Sequence, residues 1–168
     1  MNAILDTVDA EATATATPVD ADQLDERICQ FLLRKGRLKE TDLVRARRVF
    51  EEQDDVGLVS LLTRLGLASE RDVAEALSEL LSLPLISAKD APEAPPNSAT
   101  LSVRFLKQFH IVPIAETETT IKLLVADPQD HYAHDAVVLA SGKTVDMAVG
   151  LRSEIDDLIE RYYGQGRS

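Results

Sequence analysis

Two stretches of the chain can be laid on each other at a constant offset of 30 residues, and this internal repeat limits the fold more than any other feature. Residues 28–46 and 58–76 are identical at Leu32/Leu62, Arg34/Arg64, Gly36/Gly66, Glu40/Glu70, Asp42/Asp72 and Ala46/Ala76. Apolar character is kept at Ile28/Leu58, Phe31/Leu61, Leu38/Ala68 and Leu43/Val73. A unit of this size cannot bury its apolar side alone, so two copies are expected to stack on each other. A glycine at the same place in both copies reads as the left-handed residue that ends a helix. Each unit therefore reads helix, glycine-ended turn, helix. Ser69 stands where the second helix of its unit needs an N-cap, with Asp72 three residues on, and Lys39 holds that place in the first unit. The spacing of Leu24, Ile28, Phe31 and Leu32 predicts a helix over 21–35, with acids in its first turn.

The expected architecture is α+β. Residues 1–20, rich in Ala, Thr and Asp, read as a flexible tail. Residues 21–87 form the small helical lobe of two repeated helical hairpins, whose last helix stops before Leu83-Pro84 because Pro84 cannot continue it. Pro92, Pro95 and Pro96 mark 88–100 as a linker. Residues 101–168 read as an α+β lobe: a helix over 101–109, strands over 111–114 and 121–125 joined by a hairpin, a helix over 131–139, a strand over 144–149 and a helix over 153–163. The sheet is expected to be small and mainly antiparallel. Few contacts are expected to cross between lobes joined in this way.

With 168 residues, 45% of them apolar, the chain is long enough to bury a core without external staples. The single Cys29 cannot pair within the chain and reads as a small buried residue. No uncharged run approaches the ~20 residues of a spanning helix, and Asp6, Asp9 and Glu11 interrupt the only apolar stretch of the leader. These features place the protein in the cytoplasm. A net charge of −11 argues against nucleic acid as a partner. The charge is uneven, however: residues 27–48 hold eight Lys or Arg against two acids, so that stretch carries +6 and the remainder −17. Such a patch suits an acidic protein surface or a nucleotide phosphate.

Motifs for chemistry fail on context. Ser141-Gly142-Lys143-Thr144 resembles the tail of a phosphate-binding loop, yet it follows a helix and precedes a strand, the reverse of what that loop needs. Ser141-Gly142 instead reads as a helix terminator. His131 and His134 fall three apart on one helix without a third ligand of suitable type, so no metal is expected. No strained nucleophile turn occurs. The chain by itself is expected to catalyse nothing.

The run Leu62-Thr63-Arg64-Leu65-Gly66-Leu67-Ala68-Ser69-Glu70-Arg71-Asp72-Val73-Ala74-Glu75-Ala76-Leu77, then Leu80 and Leu83-Pro84, resembles the amino-terminal domain of the GspE/PilB traffic ATPases. So do Phe105, Pro113-Ile114, Ala126-Asp127-Pro128, Ser141-Gly142 and the closing segment 155–163, and the resemblance spans residues 21–164. The acidic leader points to the type II secretion branch. The resemblance implies a ring-forming cytoplasmic ATPase that drives protein secretion. Its amino-terminal domain docks on the cytoplasmic domain of a GspL-type inner-membrane protein, so contact with the membrane is indirect. Walker motifs, ATP and Mg would belong to a motor beyond Ser168, with no cofactor in this part. Docking is expected through the apolar face and basic patch of the helical lobe, namely Leu24, Arg27, Ile28, Phe31, Arg45, Arg47 and Arg48.

A related branch of that family binds cyclic di-GMP through two tandem motifs, each opening Arg/Lys-Leu-Gly. Here the openings are Arg27-Ile28-Cys29 and Gly57-Leu58-Val59, so the second basic residue and both glycines are replaced. The alternative function is thus a cyclic di-GMP module using Arg27, Leu32, Leu62 and Leu77.

Overall fold

The first helices of the two repeat units end in the same way. In the computed structural model, which describes residues 21–52, 56–96 and 100–164, Gly36 and Gly66 have φ of 71° and 76°. Arg37 N–H donates to Leu32 O at 2.8 Å and Gly36 N–H to Leu33 O at 3.1 Å. The second unit repeats both bonds 30 residues on, from Leu67 to Leu62 O at 2.9 Å and from Gly66 to Thr63 O at 3.1 Å. This paired pattern satisfies the last carbonyls of a helix and requires a left-handed residue, which glycine adopts without a Cβ penalty. The helices so delimited are α1 (Ala21–Arg34), α2 (Glu40–Glu52), α3 (Leu58–Arg64) and α4 (Glu70–Leu81). The expected tail, 1–20, lies outside the described residues.

The apolar stripe of α1 packs on α3 and α4. Leu24, Ile28, Phe31 and Leu32 meet Leu43, Leu58, Leu62, Ala76 and Leu77 in one core. Ser69 caps α4, its hydroxyl accepting Asp72 N–H at 3.0 Å. α4 ends at Ser82, itself left-handed with φ 56°, before Leu83-Pro84.

The second lobe runs through α5 (Val103–Phe109), β1 (Ile111–Glu116), β2 (Thr120–Val125), α6 (His131–Ser141), β3 (Thr144–Val149) and α7 (Arg152–Tyr163). Its core gathers Leu106, Ile111, Val112, Ile121, Leu123, Ile155, Leu158 and Tyr162. The α+β class is as expected, with one correction within the sheet. β1 and β2 pair antiparallel, with the register shifting between Pro113 and Ala115, whereas β2 and β3 pair parallel. The sheet is therefore mixed, in the order β1-β2-β3. The reason is the connection: α6 carries the chain back along the sheet, so β3 starts at the same end as β2, which a hairpin could not achieve. α6 packs on β3 and finishes at the end where that strand begins, and α7 packs on β1 and β2. Lys143, just past α6, bonds the Glu116 carboxylate.

More joins the lobes than their composition suggests. Val149 and Leu151, at the end of β3, belong to the core of the helical lobe. Residues 84–86 run alongside β3: Val149 N–H donates to Pro84 O at 2.7 Å, and Ile86 N–H to Val149 O at 2.9 Å. The Pro-containing segment lies on α7, where Ala88 N–H donates to Glu154 at 3.0 Å and the Tyr162 hydroxyl to Pro92 O at 2.6 Å. The expectation of few crossing contacts is thus overturned. The strand end leaves one core and finishes in the other, a three-dimensional arrangement that composition does not record.

Candidate functional site

The residues expected to dock divide by their place on the lobe. Leu24, Ile28 and Phe31 are at most 5% exposed, because α1 turns its whole apolar stripe onto its own lobe. Arg27, Arg45 and Arg48 are exposed and Arg47 half-buried. Structure also thins the basic patch: Arg37 pairs with Asp72, Arg45 with Asp42 at 2.6 Å, and Arg47 Nη2 donates to Glu26 Oε1 at 2.9 Å. The Arg47 guanidinium in turn lowers the pKa of the Glu26 carboxyl. Arg47 thus ties α2 to α1. Arg45 and Arg48 flank Val44, 52% exposed, on the outer face of α2.

The residues of the alternative site do not converge on an open surface. Arg27 is exposed, but Leu32 and Leu62 are 0% exposed at equivalent core positions and Leu77 is 8% exposed. Cys29 is buried, which pushes its thiol up to about 11. Position 57, where the second motif would open with a basic side chain, is filled from elsewhere. Asp25 reaches across from α1 and accepts Val59 N–H at 3.2 Å. A Cβ on Gly57 would stand 2.9 Å from that carboxylate. Burial raises the Asp25 pKa despite the bonds from Val59 and Leu58, with the charges of Asp22 and Asp127 adding to it.

Asp25 also lines a groove of about 600 Å³ between the lobes, with Leu77, Arg64 and Glu70 on one side and Asp127 and Arg152 on the other. Glu70 spans the rim, accepting Ser153 N–H at 2.8 Å and the Ser153 hydroxyl at 2.9 Å. A carboxylate there meets the unpaired amides of the first turn of α7. Sequence reasoning missed Asp25 and Glu70, since each acts on a helix remote in sequence; the glycine at position 57 was the one available signal.

Ser141-Gly142 does end a helix: Gly142 has φ 69° and its N–H donates to Val138 O at 2.8 Å. Lys143 turns away to Glu116 and to Thr117 O at 2.7 Å. His134 contacts Asp135 at 3.1 Å, and His110 contacts Asp156 at 2.8 Å. Among the described residues no three His, Cys, Asp or Glu are grouped so as to hold a metal, and no helix is long and apolar enough to cross a membrane. The arrangement offers surfaces and a groove for binding.

The model of the MshEN domain matches residues 81–168, which is the second lobe with the end of α4. The chain belongs to the MshEN domain family. It is 53% identical over 148 residues to type II secretion system protein E of Xanthomonas campestris pv. campestris, a match covering 86% of this chain and 26% of that protein. The chain thus spans about a quarter of the length of that relative. It is similar to the N-terminal domain of XpsE, with a TM-score of 0.72 and 52% identity over 84% of this chain and 96% of that one. A structure of MshE with cdg shares the fold at 20% identity, with a TM-score of 0.61 over 82% of this chain and 99% of the other.

Proposed function

We propose that this MshEN-family chain is the N-terminal docking module of a type II secretion traffic ATPase, binding the cytoplasmic domain of a GspL-type inner-membrane protein and so coupling a motor to secretion. The observation that carries the reading is the 53% identity to type II secretion protein E over 86% of this chain. In support, the described residues offer interaction surfaces. In this reading the protein is held at the cytoplasmic side of the inner membrane through its partner, and ATP and Mg are bound by the motor. The docking face is the outer side of α2, where Arg45 and Arg48 flank Val44, because the apolar stripe of α1 is already covered by its own lobe. Arg27 extends the basic surface; Leu24, Ile28 and Phe31 contribute by holding α1 in place, and Arg47 by tying α2 to it.

Binding to the GspL-type domain, followed on a sensor surface, tests this. Arg45→Glu with Arg48→Glu is expected to slow association and weaken its salt dependence. Absence of binding by the unaltered protein sinks the docking reading, and unchanged kinetics in the variant remove α2 from the interface. A nucleotide-regulated reading draws on the fold shared with MshE. Against it stand the buried Leu32 and Leu62 and the carboxylate of Asp25 beside position 57. Calorimetry with cyclic di-GMP well above micromolar concentration is expected to give no binding heat.

A further inference from the structure

The groove between the lobes combines an apolar lining, which includes Leu24, Ile28 and Leu77, with charged groups from both lobes. Its volume of about 600 Å³ lies in the range of binding clefts. The charged groups divide by whether the protein answers them. Asp25 accepts Val59 N–H at 3.2 Å, Asp127 accepts Gln129 N–H at 3.0 Å, and Glu70 holds Ser153. Arg64 from the helical lobe and Arg152 from the second lobe are exposed, and neither pairs with a carboxylate among the described residues. The groove thus sets two unanswered cations beside apolar side chains, which suits a chain segment that carries acids next to apolar residues.

We propose that this groove is filled by the leader of the same chain, residues 1–20, with its acids at 6, 9 and 11 set against Arg64 and Arg152. The point of attachment selects this occupant. The leader joins α1 at Ala21, and Leu24, Asp25 and Ile28 in the first turns of that helix line the groove. Residues 9–20 can extend over about 40 Å, so Ile4, Leu5 and Val8 reach any part of the groove from that tether. The charge also matches: the leader holds Asp6, Asp9, Glu11 and Asp20 and no Lys, Arg or His. Ile4, Leu5 and Val8, beside those acids, meet the apolar lining. A segment tethered one turn from its site has a high effective concentration there, so a modest contact suffices to hold it. The leader then guards the space between the lobes, and any ligand or peptide that enters must displace it. The proposal is independent of docking at α2.

Thiol labelling at Ser60→Cys, an exposed position on the groove, tests the proposal when read by peptide mass. Lys89→Cys, on an exposed turn, reports general reactivity, and the buried native Cys29 stays silent. The rate at 60 is compared between the chain with its own leader and one in which Asp6, Asp9 and Glu11 are each changed to Lys, substitutions that leave both cores untouched. Reversal of the leader's charge is expected to speed labelling at 60 on the order of tenfold, with the rate at 89 unchanged. Arg64→Glu with Arg152→Glu should speed it likewise, and joining the two sets of changes should slow it again, because the charges are then exchanged and still complementary. Equal rates at 60 with either leader overturn the proposal. Fast labelling that persists when both sets are joined overturns the pairing of the leader with these arginines. Protection that is lost on dilution overturns occupation by the same chain and assigns the groove to the leader of a second copy.

Discussion

The two repeat units share a backbone device and use their outer surfaces differently. Both end their first helix on a left-handed glycine with the same two hydrogen bonds. In the second unit, α4 is capped by Ser69, buries Ala74, Ala76 and Leu77, and reaches the other lobe through Glu70. In the first, α2 buries only Leu43 and Ala46 and leaves Val44 and Arg48 outward. The two units thus place equivalent side chains in one core, while one outer helix holds the molecule together and the other stays open. The lesson is that a repeat constrains what faces inward far more than what faces outward.

The largest effect expected from breaking this comparison is in the shared core. Leu32→Ala and Leu62→Ala remove equivalent side chains with no exposure, and each should cost about 2–5 kcal/mol in denaturant unfolding. A cost in one unit several times that in the other would show that the units do not share a single cooperative core. Next come the turns. Nothing lies within 4 Å of a Cβ added at Gly36 or Gly66, so Gly36→Ala and Gly66→Ala should each cost only the left-handed penalty, about 1–2 kcal/mol, and equally. Ser69→Ala should cost about 1 kcal/mol. Lys39→Ala, at the matching place in the first unit, should stay within ~0.5 kcal/mol, and a similar loss in both would erase the asymmetry in capping.

The smallest effect concerns pH. Burial raises the pKa of Asp25 in the folded state, so the fold favours its protonated form. Its contribution is greatest below the ordinary carboxylate range and is lost as pH rises through the raised folded value. Asp25→Asn, which keeps an acceptor for Val59, should remove this part of the dependence, so that its stability rises relative to the parent's as pH increases through the raised value. Curves that stay parallel from pH 3 to 7, near and above the unperturbed value of ~3.9, would mean that Asp25 carries no such penalty.

How far these features could be foreseen depends on their range in sequence. Gly36, Gly66 and Ser69 act within a turn or two of themselves, and their roles were legible from spacing alone. The stripe of Leu24, Ile28 and Phe31 was legible as apolar but not as already covered, because its cover comes from α3 and α4. Parallel pairing of β3 escaped because period and composition do not encode strand direction; the helix between β2 and β3 does. Asp25, on α1 but bonded to α3, and Glu70, on α4 but bonded to α7, are carboxylates among 29 acidic residues. Nothing local distinguishes them, since their partners lie 34 and 83 positions away.

The strap formed by residues 84–86 has a consequence for how such molecules meet. A three-stranded sheet has two outer strands whose free amides and carbonyls can recruit a strand from a neighbour, a common start of aggregation. Here the strap takes the backbone groups of Val149 on one side. On the other, β1 is interrupted by Pro113, which has no amide hydrogen to offer, and by the irregular register that follows it. The strap shortens one border and Pro113 with the shifted register interrupts the other. Copies brought close together are therefore expected to join through helix faces and not by sheet extension.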